Sequence, residues 1–245
     1  MEKNDEKILC IDIGGSHIKA TIIDYDGKFL QKYEREKTPS PPSPENVVKL
    51  ILELAGRFPQ YDKVTAGFPG YVKNGIVKTA PKLGNDIWRD FDLKNELQSH
   101  LKKPTLVIND ADLQGLSLAE GKGVEILITL GTGFGSAIMN DGVLTPHLEM
   151  SQHPVTKTKN YNDYVSASAL EKVGNEKWNK RMKKVIEILR VVFNFDHLYI
   201  SGGSAKLITF KLDDDITIVN NRDGIKGGMV LWKQFDEEDL SKNIK

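Results

Sequence analysis

Two glycine-rich segments in this chain carry the residue types that hold phosphate. Residues 8–30 read ILCIDIGGSHIKATIIDYDGKFL, and residues 126–144 read ILITLGTGFGSAIMNDGVL. Each is an apolar strand, a glycine turn, a second apolar strand and an Asp-Gly turn into a third. The first turn holds Gly14, Gly15 and Ser16, the second Gly131, Thr132 and Gly133. Glycines let backbone N–H groups come close to an anion, and the Ser16 and Thr132 hydroxyls add donors. Two such loops suit a grip on one phosphate chain from opposite sides. Asp12, at a strand end beside the first loop, has the hard oxygens to hold magnesium through water. The plain alternative is a turn-forming Asp beside glycines, and the second matching loop favours the metal reading over it. Lys19 either reaches the phosphates or is a solvated strand charge.

A third group lies in PTLVIND (104–110), an apolar strand that closes on Asn109 and Asp110. Charged groups are rarely placed on such a strand without need. The plain alternative is that Asp110 caps the following helix, although Asp112 could do the same.

The elements that must position these residues can be read from periodicity and turn chemistry. Strands are expected at about 7–13, 17–24 and 28–35, because Asp-Gly between alternating hydrophobics marks a hairpin. The proline-rich stretch 38–44 interrupts the sheet. Ser43 and Pro44 then suit the start of a helix. KVTAGFPG (63–70) predicts a buried strand, with a hairpin at Lys73-Asn74-Gly75, and Asp92 predicts a helix cap. A helix is expected at 111–120, and residues 151–168 read as a polar stretch. In a long helix at about 175–194, Trp178, Met182, Val185, Leu189 and Val192 stand at helical spacing and predict its buried stripe. HLYISGG (197–203) reads as strand into glycine turn, with a short helix from Ser204. ITIVNN (216–221) predicts a last strand, and a C-terminal helix starts in Gly224–Trp232. The order of elements, approximately repeated, predicts two α/β lobes around a cleft. We place the N-terminal lobe at 1–113 and the C-terminal lobe at 114–223, with a terminal helix at about 224–245 packing back on the first.

Bulk properties narrow the class. The 245 residues suffice for real cores, and Lys+Arg and Asp+Glu both number 34, so no net field favours nucleic acid or membrane. Neither is an expected partner. Cys10, the single cysteine, excludes an internal disulfide and a cysteine-cluster zinc site. The opening MEKNDEKILC lacks an apolar signal stretch, and no run approaches membrane-spanning length, so a cytoplasmic, soluble protein is expected.

DIGGSHIK (12–19), INDAD (108–112), LGTGFGSA (130–137) and YISGGSAK (199–206) occur in the order and spacing of the ROK sugar kinases, which the chain resembles from Ile8 to about Trp232. Within that family it is most similar to the polyphosphate glucokinases. The resemblance implies a duplicated actin-like, ribonuclease-H-like fold, and phosphoryl transfer from polyphosphate, ATP or both to a hexose hydroxyl, expected to be the glucose 6-hydroxyl. It makes Asp110 the general base and Asp12 the residue that positions Mg2+. Gly14, Gly15, Ser16, Lys19, Gly131, Thr132 and Gly133 would hold the donor phosphates, and Gly202 and Gly203 would flank a nucleotide or line the donor channel. Sugar contacts would come from Gly70, Asn109, Asp110, Glu149 and His153. A homodimer through the second lobe is implied.

The chain departs from the family at the sugar. Glu149 matches the Glu of a Glu-x-Gly-His motif, but Ser151 replaces the Gly and Gln152 takes the His place unless His153 shifts into it. Lys82 stands where relatives often carry a sugar-binding Asn, with Asn85 as a possible substitute. A non-catalytic sugar or nucleotide sensor on the same fold is therefore the rival reading; a repressor is not favoured, because the first strand starts by residue 7. The basic run KWNKRMKK (177–184) reads as a solvated helix face, or else as a track for a long polyanion.

Overall fold

Each glycine loop joins the first two strands of a five-stranded sheet, and the two sheets have the same order. The structure, a computed structural model, describes residues 5–220 and 224–243. It divides into two compact units: residues up to Leu113 together with those from Ile225 on, and Gln114–Gly224.

The first unit contains β1 (Lys7–Ile13), β2 (His17–Asp24), β3 (Glu34–Lys37), α1 (Pro44–Ala55), β4 (Lys63–Phe68), the short hairpin β5 (Val72–Lys73) and β6 (Ile76–Val77), α2 (Asn85–Trp88), α3 (Leu93–Leu101) and β7 (Thr105–Asn109). β7 runs directly into α4 (Asp110–Leu118). The sheet order is β3-β2-β1-β4-β7, with β1 antiparallel to β2 and parallel to β4. β1 is covered on both faces. Leu9, Ile11 and Ile13 enter one core with Val47 and Ile51 of α1 and Leu97 of α3, while Ile8 and Cys10 enter a second with Ile225 and Trp232. A near-continuous apolar run is what such a strand requires. Burial pushes the Cys10 thiol well above its usual range, so it packs as a small apolar group.

The second unit contains β8 (Val124–Leu130), β9 (Phe134–Asn140), β10 (Val143–Leu144), β11 (Pro154–Thr156), β12 (Lys159–Asn160), α5 (Tyr161–Val165), α6 (Ala167–Val173), α7 (Asn175–Phe193), β13 (His197–Ser201) and β14 (Ile216–Ile218). Its sheet order is β10-β9-β8-β13-β14. Asp141 and Gly142 both have positive φ (49° and 80°), the backbone a two-residue hairpin turn demands. The last helix, α8 (Gly227–Asn243), belongs to the first unit, where Trp232 is buried.

Two expectations need correction. β3 does not span 28–35. After the Asp26-Gly27 turn the chain makes one bridge, Ile23 to Phe29, and then slips two residues in register before pairing again at Ala20–Glu34. The Thr21 hydroxyl, donating to Gln31 O at 2.9 Å, takes the place of a ladder bond across that slip. Val192 is not part of the α7 stripe: Trp178, Met182, Val185 and Leu189 are buried, but Val192 is 63% exposed. Phe193 packs on the core in its stead, because the helix advances slightly less than a full turn in three residues and slightly more in four. The polar stretch 151–168 holds β11, β12, α5 and the start of α6. Of the expected strand 216–221, residue 221 lies outside the described residues, as do 244 and 245 of the expected last helix.

Candidate functional site

The first unit gathers the expected base, metal carboxylate and glycine loop. Gly14 N donates to His17 O at 2.9 Å and closes the turn. Thr38, just past β3, holds the loop from outside: its hydroxyl donates to Gly14 O at 2.6 Å and its N–H to Ser16 O at 3.0 Å. A side chain at Gly14 would set its Cβ 2.7 Å from His17 O, so the turn needs glycine. Asp12 and Lys19 are cross-strand neighbours, and the Lys19 ammonium reaches Asp12 Oδ2 at 3.2 Å. Lys19 therefore engages the carboxylate beside the loop. His17 contacts Arg35 (3.0 Å), and burial together with Arg35, Lys37 and Lys19 lowers its pKa.

Asp110 stands at the first turn of α4, but the capping work falls to its neighbour. Asn109 Oδ1 accepts from Ala111 N at 2.8 Å and Asp112 N at 3.3 Å, while its Nδ2 donates to Gly70 O at 3.0 Å. Asp110 accepts from Ala111 N at 2.9 Å. Burial is the main cause that pushes the Asp110 carboxyl up to about 6. The Lys82 charge opposes it and Asp12 and Asp112 add to it. α4 can approach the sheet this closely because Gly67 lies beneath it; a Cβ there would meet Leu113 Cδ2 at 3.0 Å and Asp110 Cα at 3.5 Å. Asn85 does not stand free for a sugar with its oxygen, since Oδ1 accepts from Ala80 N at 2.6 Å and closes the turn that carries Lys82.

The second unit holds the other loop. Gly131 N donates to Gly133 O at 3.0 Å, and Gly131 O accepts from Ala167 N at 2.8 Å. Thr132 is exposed at the tip. Gly202 (φ 94°) packs against Leu130, the residue before Gly131, and Ser204 N donates to Leu130 O at 3.0 Å. The loop and the Gly202-Gly203 turn thus form one continuous surface. Glu149 is fixed by a relay in which Gln152 Nε2 donates to Ser151 Oγ (3.0 Å) and Ser151 Oγ donates to Glu149 Oε1 (2.6 Å). The imidazole set beside Glu149 is His147, with Nε2 3.7 Å from Oε2 and a side chain only 7% exposed. His153 is exposed, its ring 6.0 Å from that of Tyr161. His147 was not singled out in the sequence; its signal was a histidine two residues before a functional-type Glu in a turn-rich segment. On α7, Lys180 pairs with Glu176 at 2.8 Å and Arg181 is buried over Tyr164, so the basic run is only partly a free cationic face.

The sequence profile of the ROK family matches residues 8–146. The chain belongs to the ROK family. Among its relatives, the polyphosphate glucokinase of Mycobacterium leprae is 33% identical over 226 residues, covering 86% of this chain and 67% of that protein. The polyphosphate glucokinase of Mycobacterium tuberculosis is 32% identical over 222 residues, covering 86% of this chain and 82% of that one. Among solved structures, the inorganic polyphosphate/ATP-glucomannokinase from Arthrobacter sp. strain KM superposes with a TM-score of 0.82 at 29% identity, covering 93% of this chain and 98% of that one. The repeated sheet order is the duplicated actin-like arrangement of ROK sugar kinases. Among the described residues no helix is long and apolar enough to cross a membrane.

Proposed function

We propose that this ROK protein is a hexose kinase that moves the terminal phosphoryl group of polyphosphate or ATP to a hexose hydroxyl, with glucose as the first candidate. The observation that carries this reading is the Asp110 carboxyl: sharing the helix cap with Asn109 so that one oxygen is not needed for it, raised to about 6, and placed in the same unit as the glycine loop. A carboxylate of that pKa is charged at neutral pH and still basic enough to take a hydroxyl proton. In the transfer, the sugar oxygen bonds to the terminal phosphorus as the bridging P–O bond breaks, and the hydroxyl proton goes to Asp110. The donor leaves one phosphate shorter. Such a step needs positioning and charge neutralisation more than covalent help. Backbone N–H groups at Gly15, Ser16, Thr132 and Gly133 and the Ser16 and Thr132 hydroxyls are suited to the donor, with Gly14 N and Gly131 N closing the turns that present them, and Gly202-Gly203 is suited to its continuation.

Asp12 fits a magnesium site. Its side chain is 36% exposed and offers hard oxygens, of which Oδ2 is shared with the Lys19 ammonium at 3.2 Å. The ion would neutralise donor phosphate charge. Glu149, held by Ser151 and near His147, has an oriented carboxylate suited to sugar hydroxyls, with Asn109, the Gly70 turn and His153 as further contacts. A homodimer in the cytoplasm completes the proposal. A coupled assay crossing polyphosphate and ATP with several hexoses, magnesium present, tests it. Turnover with glucose and either donor is expected. Tight glucose binding without turnover would leave the sensor reading instead.

A further inference from the structure

The resemblance puts Lys82 where relatives often carry a sugar-binding Asn, but its surroundings are the first glycine loop and Asp110. Its stem lies across the first glycine loop: a Cβ built on Gly15 would be 3.2 Å from Lys82 Cβ and 3.6 Å from Cδ. The turn that carries it is anchored on both sides. Leu83 N and Gly84 N donate to Ala80 O at 3.0 and 2.8 Å, and Ala80 and Leu83 are buried at 0% and 2% exposure. Lys82 itself is exposed, and its ammonium makes no hydrogen bond or ion pair among the described residues. Lys19, beside the same loop, is by contrast engaged with Asp12 at 3.2 Å. Of the charges acting on Asp110, that of Lys82 is the largest. The lysine thus projects from a fixed turn, over the backbone suited to donor phosphate, into the field of the base.

We propose that Lys82 contacts the phosphoryl group in transfer, as a cation shared between the loop 14–16 and Asp110. This rests on the hexose kinase reading and adds a residue to it. A phosphoryl group brought toward Asp110 and Asp12 meets two carboxylates. An ammonium at that point offsets the repulsion and follows the charge as it moves, a role for which a compact point charge on a flexible stem is suited. A hydroxyl contact would need no charge and would be met equally by Asn.

Lys82→Arg, Lys82→Asn and Lys82→Ala test the proposal through steady-state kinetics and through calorimetric binding of inorganic tripolyphosphate with magnesium and no sugar. The Asn and Ala variants should lose kcat on the order of 10²-fold, the scale of a lost transition-state donor, with the hexose KM moving less than about threefold. Arg should restore at least about a tenth of wild-type turnover, because charge is what is required. Tripolyphosphate should bind about tenfold more weakly to the Ala variant, as for one lost charge-assisted contact. A raised hexose KM with unchanged kcat would make Lys82 a sugar contact and overturn the proposal. If the wild type phosphorylates no hexose, the kinase reading fails separately. Tripolyphosphate affinity then decides alone, and equal affinity in wild type and Lys82→Ala, or no binding to either, overturns the proposal.

Discussion

Asn109 and Asp110 divide the start of one helix between them. Asn109 accepts the helix N–H groups of Ala111 and Asp112 and ties them to the Gly70 turn, while Asp110 is left for chemistry. Asp110→Asn keeps the shape and the acceptor for Ala111 N but removes the proton acceptor. Turnover should fall at least about 10²-fold with hexose affinity within a few-fold. Retention of more than about a tenth of wild-type turnover would remove Asp110 from the base role.

Because Asp110 titrates near pH 6, kcat/KM should rise with pH and level off above that value. The same shift bears on stability. The folded-state pKa lies above the unfolded value, so between about pH 4 and pH 6 the folded chain binds more protons. Stability contributed by the protonated group is present below pH 4 and is lost as pH rises through 6. Asp110→Asn should therefore be more stable than wild type at pH 7, by about 1–3 kcal/mol, with the gain fading toward pH 4. Urea titrations at the two pH values measure it; a pH-independent difference would contradict the assignment.

The two loops allow a clean contrast. A Cβ at Gly131 meets nothing within 4 Å, whereas one at Gly14 meets His17 O at 2.7 Å. Gly131→Val should hold its melting temperature within a degree or two yet lose donor affinity or turnover at least about tenfold. Gly14→Ala should unfold more easily, by about 1–3 kcal/mol. Normal donor kinetics in Gly131→Val would reduce the second loop to a turn.

Lys63 on β4 binds Glu6, Asp236 and the Tyr25 hydroxyl at 2.9, 2.9 and 2.7 Å, with its ammonium 4.9 Å from the Trp232 ring. Lys63→Met leaves two acidic groups facing each other out of water and should cost about 3–5 kcal/mol. A denaturation midpoint within error of wild type would show the cluster to be solvated.

Much of this was legible in the chain. β1 and β2 follow from near-continuous apolar runs bounded by Gly14-Gly15 and Asp26-Gly27, and Ser43 and Asp92 cap α1 and α3 with the side-chain acceptors their types offer. The slip before β3 was not legible, because it depends on one hydroxyl, Thr21, bonding across strands. Neither was the 151–168 segment, where strands of two or three residues carry no periodic signal. At the site, glycines and Asp110 announce themselves by type. The pairing of Asn109 with Gly70, the placing of Lys82 over Gly15 and the burial of His147 are tertiary facts. For the first two, sequence spacing holds no trace, and for His147 it holds only the nearness to Glu149.

The Lys63 cluster also orders events in time. Its partner Asp236 follows Lys63 by 173 residues, and Trp232 follows it at a similar remove, while Tyr25 and Glu6 precede it. The unit formed by Gln114–Gly224 is contiguous and has its whole sequence as soon as it leaves the ribosome. The other must wait, its β1–β4 surface around Ile8 and Cys10 uncovered, until α8 emerges some hundred residues later. The unit that holds β1 is thus completed after the unit inserted within it, and a nascent chain stalled before residue 225 would present an open apolar face to chaperones.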